Sequence, residues 1–245
     1  MARATPPISK AEMDLTLIEK IAIFALPVIF AITLHEAAHG YVARFFGDTT
    51  AARAGRITIN PIKHIDLIGT LLVPLVILTA SKLLGGGAIL FGWAKPVPVD
   101  FSNLRNPKKD MLWVAAAGPG INFLMALFWA LVIQTGILLD NSFSETVMRM
   151  GAAGVFINVI LMALNLIPLP PLDGGRIAVS LLPLKAARAY AKIEPYGFFI
   201  LLGLLFTGVL NLLLWPLISV FTILIAGLTG LESSHLLGLI QLVLN

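Results

Sequence analysis

Two histidines and a glutamate lie close together in an apolar part of the sequence, at His35, Glu36 and His39. On a helix, residues four apart face the same side, so both imidazoles can bind one metal ion. This is the HExxH arrangement of zinc hydrolases, in which the glutamate acts on water bound to the metal. The alternative is a pair of histidines packed inside a helical bundle. Ionisable residues in apolar helices are costly and usually functional, so we predict two zinc ligands and a catalytic base.

A third ligand is expected elsewhere, because catalytic zinc usually has three protein ligands. The chain has no cysteine, which leaves His, Asp, Glu or Asn. His64 lies in a polar segment and is expected to be structural or exposed, and His235 in the C-terminal tail is a weaker candidate. Asp173 lies between two prolines and two glycines that separate apolar runs. An Asp-Gly pair is also typical of a simple turn, but beside a two-histidine site we favour Asp173 as a ligand.

The composition indicates an integral membrane protein. Of the 245 residues, 58% are hydrophobic and 12% are charged, whereas soluble domains carry about 25% charged residues. The net charge of +4 comes from Lys and Arg clustered between the apolar runs. This pattern is typical of positive-inside membrane anchoring and not of nucleic-acid binding. The first sixteen residues lack the pattern of a cleaved signal peptide, so we expect the first apolar run to remain in the protein.

The apolar runs predict an all-α polytopic membrane protein with about five to six transmembrane helices. We expect a single membrane domain, 1–245, with a core at about 15–184 and accessory C-terminal helices at 197–245. Residues 168–176 should form a turn, and residues 236–244 suit the membrane interface. The predicted spans are 15–46, 111–139, 147–167, 198–214 and 215–228, the last two divided near Trp215–Pro216.

A small β-hairpin or re-entrant element is predicted between the first helix and the helix that begins with AAGPGIN. The residues Ile57-Thr58-Ile59 alternate and favour a short strand, which Pro61 ends. Residues 94–99 form a second extended segment, which its prolines would confine to a sheet edge.

The apolar segment 67–93 could cross the membrane once or re-enter it. One crossing places 11 Lys and Arg on the N-terminal side and 5 on the other, whereas re-entry places 4 and 12. Both distributions are biased, in opposite directions. Since His35 and His39 lie toward the far end of the first helix, Asp173 reaches their side only if the segment re-enters. We therefore favour re-entry, with an extracytoplasmic N-terminus and a metal site open to the cytoplasm.

Three motifs occur in order on separate apolar helices: HEAAHG, AAGPGIN and NLIPLPPLDGGR. Together they resemble the site-2 protease family of intramembrane zinc metalloproteases, specifically its compact members without a PDZ or CBS domain. The resemblance covers roughly 31–182 and includes the GRITINP and GWAKPVPV segments. It implies one zinc ion per chain, held by His35, His39 and Asp173. It also implies that Glu36 is the catalytic base and that Asn165 steadies the reaction centre.

The resemblance further implies an enzyme that cleaves transmembrane segments of membrane proteins within a bilayer, in a bacterial cell membrane. An exposed strand edge at Arg56, Ile57, Thr58, Ile59 and Asn60 could bind an unwound substrate by β-augmentation, although a structural hairpin is the alternative. A membrane metal-ion transporter with a His/Asp site and an inactive scaffold are the competing functions. The sequence does not indicate an oligomeric state.

Other polar residues on the apolar helices have alternative roles. Asn165 could donate a hydrogen bond to the reaction centre or pack the bundle. Asn122 and Asn158 are expected to be packing residues. Arg176 could be an interfacial anchor or could hold the Asp173 loop.

Overall fold

The computed structural model describes residues 17–73, 75–77, 79, 92–139 and 141–244, and within these ranges it contains helices and no β-strand. Short helical turns also occur at Pro61–His64, Leu67–Leu72 and Phe101–Asn103. The α-helices are α1 (Leu17–Phe45), α2 (Thr50–Arg53), α3 (Pro107–Leu138), α4 (Ser144–Leu166), α5 (Asp173–Leu181), α6 (Leu184–Ala191), α7 (Glu194–Phe206), α8 (Val209–Thr229) and α9 (Ser233–Leu244).

Four of the described helices are long and apolar enough to cross a membrane: α1, α3, α4 and α8. Helices α6 and α7 are bent by 63° at the break between them and add a fifth span if they cross together. The chain is thus an integral membrane protein, and its number of spans is close to the five to six predicted.

Helix α3 packs antiparallel to both α1 and α4. Near the start of α3, the Val114 carbonyl accepts a hydrogen bond from the His39 ring. Further along α3, the Asn122 amide donates to the Ala31 carbonyl at 3.3 Å, and Ala31 precedes His39 in α1, so the two helices run in opposite directions. At the other end of α3, the Gly136 carbonyl accepts from the hydroxyl of Ser144, the first residue of α4. As a result, the C-terminal end of α1, the N-terminal end of α3 and the C-terminal end of α4 meet at one end of the bundle.

The predicted strand at 57–59 does not form, and the β-hairpin prediction is wrong. Polar side chains bind the nearby backbone instead: the Asn60 N–H donates to the Thr58 hydroxyl, and the Asn60 side chain accepts from the Ile62 N–H, both at 3.1 Å. The second bond begins the helical turn at Pro61. Residues 92–100 also lack a strand, because Pro96 and Pro98 have no N–H to donate. Bonds between a side chain and the nearby backbone, such as those of Thr58 and Asn60, compete with strand pairing.

The two ends of the predicted re-entrant segment lie side by side. The Trp93 N–H donates to the Gly69 carbonyl at 3.0 Å, and the Thr70 hydroxyl donates to the Trp93 carbonyl at the same distance. Further along, the Arg105 N–H donates to the Phe46 carbonyl at 3.0 Å, so the chain returns to the end of α1 before α3 begins. The middle of this segment, 80–91, lies outside the described residues.

Asp48 anchors this long connection to the end of α1. Its buried carboxylate accepts from the Thr50 N–H at 2.9 Å, the Asp100 N–H at 2.8 Å and the Asn103 amide at 3.3 Å. Burial by itself raises the pKa of Asp48, but these hydrogen bonds outweigh it, and the pKa lies below its usual range. An ionised Asp48 therefore holds both ends of the connection on the same end of the bundle.

The two spans predicted at 198–214 and 215–228 divide earlier along the chain than predicted. The break lies at Thr207–Gly208, where Gly208 has a positive φ of 75° that glycine adopts readily. Pro216, the predicted divider, lies inside α8. A proline inside an apolar transmembrane helix is tolerated where neighbouring groups satisfy the freed carbonyl, which is why Pro216 was a poor marker of a helix end.

Candidate metal centre

Helix α1 brings His35 and His39 to one buried face. Their Nε2 atoms are 3.1 Å apart, and each residue is only 8% exposed. His35 lies ten residues before Phe45, where α1 ends, which corresponds to about 15 Å at 1.5 Å per residue. The pair therefore lies below the end of a membrane-spanning helix and not at its surface.

Asp173 reaches the same point from the segment that follows α4. It is the first residue of α5 and follows a turn in which the Leu172 N–H donates to the Leu169 carbonyl at 2.9 Å. Its Oδ2 atom lies 3.2 Å from His35 Nε2 and 3.3 Å from His39 Nε2, and the residue is buried. The structure thus brings together the three residues predicted from the sequence as ligands, although Asp173 follows His39 by 134 residues in the chain.

The three facing atoms suit a metal ion. His35 Nδ1 lies 2.5 Å from the Asn122 side-chain oxygen, and His39 Nδ1 lies 2.7 Å from the Val114 carbonyl. Both partners are acceptors, so the Nδ1 atoms carry the protons and both Nε2 lone pairs face Asp173. Two lone pairs and a carboxylate oxygen repel one another unless a cation lies between them. Zinc bonds of about 2.0–2.1 Å in tetrahedral geometry separate ligand atoms by about 3.3 Å, which matches this triangle.

Asn122 and Asn158 position His35, a role that the sequence reasoning missed. The Asn122 side-chain oxygen accepts from His35, while its amide donates to the Asn158 oxygen at 2.9 Å. Asn158 in turn donates to the Gly154 carbonyl at 2.8 Å, and both asparagines are fully buried. Such outer partners fix the tautomer and orientation of a ligand histidine. The sequence could have indicated this role, because a ligand histidine on an apolar helix needs a buried acceptor for its other ring nitrogen.

Gly118, in the AAGPGIN motif, allows α3 to pass against the two histidines. A Cβ atom at this position would lie 2.5 Å from His35 Cε1 and 2.5 Å from His39 Nε2. Any larger residue would displace the imidazoles or the helix. The motif therefore contributes two features to the site, a glycine for close approach and an asparagine to hold His35.

Glu36 lies beside the histidines, partly exposed, and its Oε2 atom accepts a hydrogen bond from the Val97 N–H at 2.7 Å. The donor belongs to the GWAKPVPV segment, which the sequence reasoning treated as a sheet edge.

The remaining predicted residues take different positions. The Asn165 amide donates to the Leu161 carbonyl at 3.0 Å within its own helix, so its place in the reaction stays a prediction. His64 is buried, with Nε2 3.0 Å from the Thr58 carbonyl, in agreement with a structural role. Arg176 lies 5.5 Å from the Phe101 ring and 4.0 Å from Glu194, beside the Asp173 turn.

Comparison with known proteins points to one family. The model of peptidase family M50 matches residues 135–208, which include Asp173 but not the HExxH motif. The chain is 37% identical to the Bacillus subtilis protein named "Putative zinc metalloprotease YwhC" over 198 residues, 79% of this chain and 84% of that protein. It is 30% identical to the Mycolicibacterium smegmatis protein Rip2, which carries the same description, over 78% of this chain and 70% of Rip2. No solved structure gives a significant match.

The extent of the match to the Bacillus protein, together with the HExxH helix and the converging aspartate, establishes the class of protein. The chain belongs to peptidase family M50, the site-2 protease family of zinc metalloproteases.

Proposed function

We propose that this metalloprotease is an intramembrane endopeptidase that cleaves transmembrane segments of other membrane proteins in a bacterial cell membrane. The observation that carries the proposal is the depth of the site. His35 and His39 lie on a helix that is long and apolar enough to cross a membrane, about 15 Å and 9 Å before its end at Phe45. A protease with its metal centre at this depth is suited to peptide bonds that lie within the bilayer.

One zinc ion per chain would be held by His35, His39 and Asp173, whose facing atoms form the triangle described above. When bound, zinc would lower the pKa of its water toward about 7. Glu36, adjacent to His35, accepts the proton of the attacking water and then passes it to the leaving amine. The buried asparagines hold His35 in place throughout.

The substrate must be unwound at the site, because a transmembrane helix satisfies its peptide groups by its own hydrogen bonds. Asn165 is proposed to donate to the substrate carbonyl as negative charge develops on its oxygen. An asparagine amide has two N–H groups, and the bond to Leu161 uses one of them. Asn165 lies at the end of α4 that leads into the Asp173 turn, eight residues before Asp173 in the sequence.

Substrate binding at residues 56–60 now rests on exposed side chains and not on a strand edge. Arg56 is buried, whereas Ile59 is 69% exposed and Asn60 is also exposed. These two are the members of the predicted set best placed to contact a substrate. The transporter alternative receives no support from the comparisons, and the intact HExxH motif argues against an inactive scaffold.

The metal site is proposed to open toward the cytoplasm. In keeping with this orientation, the two ends of segment 67–93 lie side by side at Gly69 and Trp93. Positive charge is enriched in cytoplasmic segments. Among the described residues, Lys20 and Arg149 are the Lys and Arg residues that lie toward the end of the bundle opposite the metal site. The cationic residues at the metal-site end are Arg44, Arg53, Arg56, Lys63, Lys95, Arg105, Lys108, Lys109, Arg176, Lys185, Arg188 and Lys192.

The position of the cut tests both the function and the orientation. The purified enzyme is mixed in lipid vesicles with single-span substrates of known orientation, and the new termini are identified by mass spectrometry. We expect the termini to fall inside the transmembrane segment, in its cytoplasmic half. Cuts confined to loops outside the bilayer would contradict intramembrane cleavage, and cuts in the extracytoplasmic half would contradict the orientation.

A further inference from the structure

A backbone amide outside the HExxH helix holds the carboxylate of Glu36. The Val97 N–H donates to Glu36 Oε2 at 2.7 Å, and Val97 is only 8% exposed. The Val97 side chain packs against Gly40, the glycine that follows the HExxH motif. A Cβ atom at Gly40 would lie 3.2 Å from Val97 Cγ1 and 3.0 Å from Ile57 Cγ1. Glycine at this position therefore lets the segment carrying Val97 lie directly on α1.

Arg56 fixes the part of the segment that precedes Val97. Its Nη2 donates to the Lys95 carbonyl at 2.8 Å and to the Pro96 carbonyl at 3.4 Å, and the residue is 8% exposed. On the other side, the Lys95 N–H donates to the carbonyl of the buried His64 at 2.9 Å. Pro96 itself has a restricted φ. Bonds on both sides of Lys95 and a proline thus fix the direction of the next N–H, that of Val97.

We propose that the Val97 amide, positioned by Arg56, orients the Glu36 carboxylate for proton transfer. This rests on the proposed role of Glu36 as the base. A carboxylate bonded through one oxygen loses rotation about its terminal torsion, so the other oxygen keeps a fixed direction toward the water. A charge-assisted bond from a backbone N–H suits this purpose, because such bonds are short and strong and the donating backbone is held by Arg56. Arg56 and Val97 are positioning residues and do not touch the reacting atoms.

The same contact could instead occlude the site, with segment 95–99 occupying the place of a substrate. The two roles predict opposite effects: release of an occluding segment raises cleavage, whereas loss of a positioning bond lowers kcat.

Val97→Pro and Val97→Ala separate the amide from the side chain. Proline removes the N–H, while alanine keeps it and removes only the packing on Gly40. Misplacement of a catalytic group costs up to about 100-fold, so we expect Val97→Pro to lower kcat roughly 10- to 100-fold below Val97→Ala. KM and bound zinc should be similar in the two variants. Arg56→Ala should lower kcat in the same direction, with partial rescue by Arg56→Lys, which keeps a cationic donor.

Amide hydrogen exchange gives a readout that does not depend on activity. Between Lys95 and Val99, only Lys95, Val97 and Val99 carry an N–H, so exchange at Val97 can be resolved. We expect Glu36→Ala and Arg56→Ala each to accelerate exchange at Val97, while Glu36→Gln, which keeps an acceptor oxygen, has a smaller effect. These measurements use zinc-loaded protein without substrate.

Three results would overturn the positioning role in an enzyme that cleaves. The first is equal kcat for Val97→Pro and Val97→Ala, the second is a gain of cleavage in Val97→Pro, and the third is unchanged exchange at Val97 in Glu36→Ala. If Val97→Pro fails to fold, the Arg56 variants and the exchange data decide. A wild type that binds zinc and protects Val97 but never cleaves would reject the proposed function while leaving the Val97–Glu36 contact established.

Discussion

Replacing Glu36 with glutamine should abolish proteolysis and leave the zinc content of the protein unchanged. Glutamine has nearly the same shape, and its side-chain oxygen can still accept the Val97 N–H that bonds Glu36 at 2.7 Å. It cannot accept a proton from water at neutral pH. General acid–base catalysis contributes about 10²- to 10⁴-fold, so cleavage should fall by at least that range. The measurement is the initial rate in vesicles, with zinc per chain determined on the same sample.

The partner control is Glu36→Asp, which keeps a carboxylate but draws it back by one methylene. It should retain zinc and recover part of the activity lost in Glu36→Gln. Normal cleavage by Glu36→Gln would show that another group is the base. Loss of zinc from that variant would mean that the change disturbed the ligands, and the assignment of Glu36 would need a different test.

Replacing Asp173 with alanine should remove most of the bound zinc, because it deletes the only anionic member of the three-residue cluster. Asn122→Ala should lower zinc affinity less than Asp173→Ala does, because Asn122 acts on the metal only through His35. Loss of an outer-shell partner costs about 10- to 100-fold in metal affinity, and loss of Asp173 should cost more. Competition with a chelator of known affinity measures both variants. Cleavage should also fall further in the Asp173 variant than in the Asn122 variant.

Asn165→Ala is the matched control for the asparagine series. The Asn165 side chain bonds to Leu161 within its own helix, so this variant should keep zinc affinity close to that of the wild type. If it also lowers kcat, a role in the reaction and not in metal binding is indicated. Equal zinc affinity for Asn122→Ala and Asn165→Ala would contradict the positioning of His35 by Asn122.

The part of the site carried by short motifs could be predicted from the sequence. His35, Glu36 and His39 depend on helical spacing alone, and the long apolar runs gave the helices that carry them. Asp173 was predicted only in combination with the two histidines, because their site needed a third ligand, whereas the Asp-Gly pair on its own indicates a simple turn. The structure then places it 3.2 Å and 3.3 Å from the two imidazoles.

The connection between α1 and α3 could not be predicted in the same way. Alternation at 57–59 favoured a strand, but Thr58 and Asn60 bind the local backbone and the strand is lost. The contact between Glu36 and Val97 joins residues 61 apart in the chain, and no periodicity reports it. The bonds of Asn122 also depend on how α1, α3 and α4 pack. These features follow from tertiary contacts, which a pattern along one chain does not contain.

The most direct test of the central claim is the metal dependence of cleavage in a closed membrane system. Purified wild type in vesicles with a single-span substrate is stripped with a chelator and then supplied with zinc, while zinc flux across the membrane is followed in the same preparation. A zinc-dependent intramembrane protease should lose cleavage on chelation, regain it at about one zinc per chain and show no flux above protein-free vesicles. Cleavage that persists without metal, or zinc transport without cleavage, would contradict it.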